Sequence, residues 1–319
     1  MGQANFSFCS CTKEILEPST EGQPRYEEKS LNNTRLVDLP NYLDQIVYLS
    51  AKAEKIQSAW KGFKSRSLLR HLKLEKVKEQ YLSSQRGECL SLHDGSTFTG
   101  KCQNGKRQGP GVQEWPDGSY FKGEWNENKV CKFGFFCNSN GDSLQGWWVN
   151  DKSYGKGVFK YANGDCYEGD WKSNKRTGFA NERIGNAVFT GFFKHGLKFG
   201  FGVIQWKGGN LYSGNWLDDQ MHGYGVYKWA DGTVYEGEWH KNAMHGKGRS
   251  VWPDGRNYEG EYSMSKKQGF GVYTWKDGKQ YKGCWKEGRQ HGEGVLIAPD
   301  GSQIEGVWDM GRRLRTSNA

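Results

Sequence analysis

Across the last two thirds of the chain, polar and apolar residues alternate with a period of two in short runs, each run centred on a glycine. In Tyr235-Glu236-Gly237-Glu238-Trp239 the alternation places Tyr235, Gly237 and Trp239 on one face and both glutamates on the other. The pattern aromatic–x–Gly–x–aromatic recurs with its glycine at Gly100, Gly123, Gly146, Gly169, Gly191, Gly214, Gly237, Gly260, Gly283 and Gly306, at intervals of 23 residues broken once by 22. A glycine pair follows most of these anchors, as in Gly246/Gly248 and Gly269/Gly271, and a turn dipeptide such as Asp231-Gly232 or Asp254-Gly255 precedes them. Asp-Gly between alternating apolar runs is a strong hairpin signal. The opposite turn falls at Gly105, Asn128, Asp151, Asn174, Gly196, Asp219, Asn242, Ser265 and Gly288, almost all residues that tolerate a left-handed backbone. Each unit therefore predicts one antiparallel hairpin, running out through Tyr235–Trp239 and back through Gly246–Trp252.

A lone hairpin is marginal in water, but stacked neighbours that share a ring-filled face stabilise one another. The expected fold is mainly β: an elongated, single-layer antiparallel β-meander, twisted and open at its edges, each unit adding roughly 10 Å. Two stretches depart from the pattern, Phe133–Asn138 and Ala180–Ala187, the second with one residue lost. An irregular loop or bend is expected at each.

Composition agrees with thin packing around flat rings. Glycine numbers 45 of 319 residues, double its average share of about 7%, and aromatics reach 14%. Units such as Tyr235–Asn257 resemble the MORN repeat, the membrane occupation and recognition nexus family, and the likeness spans roughly residues 88–310. The resemblance implies a ribbon acting in assembly, cytoskeletal attachment or membrane-proximal scaffolding. In that family catalysis belongs to an appended kinase or methyltransferase domain. The array here runs to Trp308 and the sequence to Ala319, so no enzymatic activity and no cofactor are expected.

Residues 40–82 have a different texture, poor in glycine and rich in Lys, Leu, Ala and Glu, with Leu43, Ile46, Val47, Leu49 and Ala53 at helical spacing behind Pro40. The reading divides the chain into a flexible leader over 1–39, a basic amphipathic α-helix over 40–86, a repeat array over 87–311 and a basic tail over 312–319. Within the helix, Ile56-Gln57, then Lys61-Gly62, then Arg66 resemble an IQ motif at all five diagnostic positions. Ile56, Ala59, Trp60 and Phe63 share one face that fits an apolar, Met-rich groove. Lys55, Lys61, Lys64, Arg66 and Arg70 face the acidic rim such a groove carries. The implied partner is calmodulin or a related EF-hand light chain, with Ile56, Gln57, Trp60, Lys61, Gly62, Phe63, Arg66 and Arg70 as its contacts. The bland alternative is a helix folded back on the sheet with its basic residues in water.

Charge sharpens this division. Residues 52–86 carry 10 basic against 3 acidic groups and hold most of the net +9, a local device for meeting something acidic. Acidic phospholipid is the second expected partner, and Gly2 with Cys9 and Cys11 are candidate acylation sites, although Phe6 stands where the myristoylation pattern asks for Ser or Thr. The resemblance places such a protein in the cytoplasm on cytoskeletal or axonemal proteins of a cilium or flagellum, or alternatively on the cytoplasmic face of a membrane. A regulatory subunit docking a separate enzyme is a third reading. The eight cysteines show no disulfide or zinc spacing, and no secretory signal or membrane-spanning run is expected. His222, His245 and His291 recur with the repeat and read as turn residues rather than metal ligands. The clusters Lys106/Arg107, Lys175/Arg176, Lys266/Lys267 and Arg312/Arg313 read as a solvated rim, and no nucleic-acid partner is expected.

Overall fold

The computed structural model describes residues 88–314. The stretches read from sequence as a leader over 1–39 and a helix over 40–86, and the last five residues, lie outside the described residues. What is described forms one sheet of 21 strands, running from Glu88–Ser91 to Arg312–Arg313. Consecutive strands pair antiparallel from one end to the other, which is the single-layer meander the alternation predicts. The final strand extends the sheet into the stretch read as a basic tail.

The unit built on Gly237 shows how the repeat holds together. Gly237 sits opposite Gly225 on one side and Gly248 on the other, so bare backbone lines the sheet at this level. A Cβ on Gly237 would come within 2.5 Å of the Gly248 Cα and 2.6 Å of both the Lys247 carbonyl and the Tyr235 hydroxyl. The Tyr235 ring occupies that space, fully buried. Its Oη donates to the Glu238 carbonyl at 2.9 Å, and Trp239 Nε1 donates to the Gly225 carbonyl at 3.2 Å. The hydroxyl bond is dispensable, since Phe98, Phe121 and Phe189 hold the same place in other units. Tyr235→Phe should therefore cost only about 1 kcal/mol, read from urea unfolding.

The rings of successive units meet edge to face. Trp239 lies 5.4 Å from Tyr212 and 5.2 Å from Tyr235, which in turn lies 5.1 Å from Tyr262. Such contacts add about 0.5–1.5 kcal/mol each beyond burial. They continue through Tyr258, Trp285 and Tyr281 to Trp308. Another run joins Phe98, Trp125, Phe121 and Trp148. Leu144, fully buried, stands at the ring position beyond it. The aromatic pattern is thus looser than the sequence suggests, with Leu144, Cys102 and Ile304 in ring positions.

Two kinds of turn mark the two margins. On one, consecutive residues are left-handed, as in Lys241 (φ 49°) and Asn242 (φ 67°), the two-residue geometry that matches strand twist. All nine expected turn residues have positive φ, and so does the residue before each. Each turn is also tied to the turn one unit away. Asn242 N–H donates to the Met221 carbonyl at 3.0 Å while its Oδ1 accepts from Met221 N–H at 2.8 Å. On the other margin the Asp-Gly pairs lie in three-residue loops: Gly232 N–H donates to the Trp229 carbonyl, and the Asp231 carboxylate accepts from Thr233 N–H. Only the glycine of the pair is left-handed. Ties between loops on this margin run from Asp142 to Ala230, including Asp142 with Ala162, Asp165 with Gly185 and Asn210 with Ala230.

Neither expected irregularity is a loop. Lys129–Cys137 and Lys175–Ile184 are continuous strands. The first glycine of each pair, such as Gly246 (φ 58°), is left-handed beside a register shift in which the returning strand carries two extra residues, a bulge. Lys132 (φ 56°) takes that place in the first departure and pairs through Nζ with Glu124 at 2.5 Å. In the second departure, the missing residue is absorbed by a short Gly185-Asn186 turn, across which Ile184 pairs with Ala187.

Candidate functional site

Ile56, Gln57, Trp60, Lys61, Gly62, Phe63, Arg66 and Arg70, like Gly2, Cys9 and Cys11, lie outside the described residues. The described sheet offers two faces of different chemistry.

On the ring face, the basic pairs read as a solvated rim split between solvent and rings. A strand alternates faces residue by residue, so one member of each pair turns inward. The Arg107 guanidinium stacks 4.2 Å from the Trp125 ring centre, hydrogen-bonds to Gln113 and donates to the Asn128 carbonyl. Burial holds its pKa below the ordinary value. Arg176 and Lys198 converge on the buried carboxylate of Glu182, at 2.6 and 2.7 Å. Glu182 lies in the departure at Ala180–Ala187, at a place that Tyr227 and Tyr273 occupy elsewhere. The lost aromatic is therefore replaced by a paired charge, which a buried carboxylate requires.

Lys267 is enclosed differently. Its Nζ lies 4.2 Å from the Tyr273 ring centre, 4.9 Å from Trp285, 5.0 Å from Tyr258 and 5.2 Å from Trp252. Burial among these rings, with Arg256 nearby, pushes its pKa down to about 8. Met221 and Met244 fill the equivalent position two and one units earlier. The signal for all these residues was present in the period of two, which assigns the second residue of each basic pair to the ring side.

The opposite face exposes apolar rings. Phe133 and Trp147 meet edge to face at 5.7 Å, and Phe179 and Phe192 at 5.5 Å. Trp147 is 43% exposed, Tyr154 49% and Phe192 43%. Between the two clusters, Lys156 pairs with Asp170 at 2.7 Å. The glutamates predicted to face away from the rings do so: Glu236 accepts from the Tyr224 hydroxyl at 2.5 Å, and Glu238 accepts from Lys247 N–H at 3.0 Å. Along the short-turn margin, His240 stands between two of the periodic histidines, with ring centres 5.1 Å from His222 and 5.7 Å from His245. Burial and the neighbouring His222 hold the His240 pKa below the usual imidazole value.

Among the described residues, no group of three His, Cys, Asp or Glu side chains forms a ready-made metal-ligand set, and no helix is long and apolar enough to cross a membrane. Cys131, Cys137, Cys166 and Cys284 are free thiols.

Hairpins of fixed length, each stacked on the next through a ring and a glycine line, define a β-repeat protein. The MORN repeat model matches eight segments within residues 100–303. The chain belongs to the MORN-repeat family. Residues 121–144 fall between matched segments, yet they form a regular hairpin in which Lys132 replaces the usual glycine. No curated protein sequence matches the chain. Among solved structures, the chain is similar to the TCP10 domain of Danio rerio CPAP in complex with a peptide of Danio rerio STIL. That likeness has 12% identity, covers 69% of this chain and 99% of that one, and has a TM-score of 0.36. It is also similar to the SAS-4 (dCPAP) TCP domain of Drosophila melanogaster, with 11% identity, 55% and 83% coverage and a TM-score of 0.28.

Proposed function

We propose that this protein is a non-enzymatic scaffold in which the MORN sheet is the platform and the IQ-like segment recruits calmodulin or a related EF-hand light chain, on a cytoskeletal assembly of the ciliary or axonemal kind. The observation that carries the reading is the spacing of Ile56, Gln57, Lys61, Gly62 and Arg66 inside a segment of high positive charge. Support from the sheet is indirect. Its arginines and lysines on the ring face are committed to packing, and its opposite face presents exposed rings suited to protein contact.

The direct test is a pull-down of the full chain with calmodulin, with and without calcium. Ile56→Asp combined with Trp60→Asp should lower recovery at least about tenfold, because two charges replace the apolar anchors. Recovery equal to wild type would defeat the proposal. The net charge of residues 52–86 also favours a second reading, an adaptor on acidic phospholipid. Salt-sensitive binding to phosphatidylserine vesicles, lost on charge reversal at Lys61, Lys64, Arg66 and Arg70, would select it.

A further inference from the structure

The geometry points to a surface site for a borderline divalent cation of the zinc or nickel class, built from His222, His240 and His245 with His240 as the shared ligand. Two of these histidines belong to the repeat and one does not. His222 and His245 stand just before the bulge glycines Gly223 and Gly246 of successive units. His240 ends the intervening strand, Val234–His240. The same place in other units holds Lys172, Lys194, Leu217 or Lys286, so only this unit sets a third imidazole between two periodic ones.

The sheet fixes the spacing. Pairing of Gly223 with Trp239 brings His222 alongside His240, and the two-residue turn at Lys241-Asn242 returns the chain so that His240 pairs with Ala243, two residues before His245. A zinc–nitrogen bond is about 2.0–2.1 Å, and the ring centre lies roughly 1.2 Å beyond the nitrogen, so two imidazoles on one tetrahedral ion have centres about 5 Å apart. The observed separations from His240 are 5.1 and 5.7 Å. The three rings do not converge on one point as they stand. His240 and His245 are exposed, so rotation about their side-chain bonds brings the third ring onto an ion held by the first two, with water in the remaining position. The nearby Glu238 carboxylate is engaged by Lys247 N–H and is not needed as a ligand. Imidazole nitrogen without thiolate suits zinc and nickel and disfavours calcium and magnesium, which take oxygen.

The test titrates chelator-treated full-length protein with Zn²⁺ at about pH 7.5, where imidazole is largely neutral. Calorimetry should show one saturable site, and zinc should raise the melting temperature, because an ion that binds the folded state stabilises it. His240→Ala should weaken the affinity about tenfold or more. His291→Ala should leave it unchanged, since His291 faces Asp309 at 3.4 Å rather than a second ring. These positions lie on the turn margin away from the ring ladder, and near-ultraviolet circular dichroism checks that the variants keep the fold. Zinc binding that survives His240→Ala at wild-type affinity, or that falls equally in His291→Ala, overturns the site.

Discussion

Gly237→Ala should destabilise the sheet by about 3 kcal/mol or more, the upper end of what overpacking costs. The added methyl meets the backbone of the neighbouring strand at two points, the Gly248 Cα at 2.5 Å and the Lys247 carbonyl at 2.6 Å, together with the Tyr235 hydroxyl. Backbone held in a ladder cannot yield as a flexible side chain can. Gly255→Ala is the control. That glycine is left-handed (φ 92°) but has nothing within 4 Å of its added Cβ, so its cost is confined to conformation, about 1 kcal/mol. Urea unfolding followed by tryptophan fluorescence separates the two. Because each unit touches only its neighbours, the damage at Gly237 should also split the transition rather than shift it whole. Equal losses for the two variants would show that the glycine line does not set ring packing.

Lys267→Met is expected to stabilise the protein near pH 7. Four rings attract the ammonium, but they also strip it of water, and Arg256 repels it; the lowered pKa of about 8 shows that the penalty wins. The folded pKa thus lies below the ordinary lysine value of about 10.4. Between roughly pH 8 and 10.4 the unfolded chain binds more protons, so wild-type stability contributed by this group rises with pH across that window. Below it the ammonium carries its full penalty. Partial exposure discounts the shift to about 1 kcal/mol at pH 7. Methionine already fills this place at Met221 and Met244, so the variant introduces no new shape. Melting curves of both proteins from pH 7 to 11 should converge at the alkaline end. A difference that does not depend on pH would place the effect in packing instead.

Much of this fold was legible because the repeat broadcasts the same information many times. The alternation around Gly237, the left-handed turn residues from Gly105 to Gly288 and the hairpin register all follow from residue types at fixed spacing. The misreadings arose where one element compensates for another. Lys132 adopts the left-handed bulge that glycine usually fills, and Glu182 replaces a ring with a paired charge, so both departures looked irregular while the strands run through them. The Asp-Gly pairs do mark hairpin turns, in which the aspartate accepts a backbone hydrogen bond inside a three-residue loop. Inward-turning Arg107, Arg176 and Lys267 were hidden by treating basic pairs as a unit, when the strand sends neighbours to opposite faces. The His240 row could not be read from the 23-residue period, because it depends on which residues the short turn brings together across strands.

The unequal ties along the two margins have a mechanical consequence. Side-to-side bonds between turns run from Asn128 to Gly311 on one margin, whereas among the described residues the loop-to-loop bonds on the other run from Asp142 to Ala230. Tension pulling the first and last strands apart loads both seams in the middle and one seam toward the ends. The ribbon therefore peels from its flanks inward, and its central units are the last to let go.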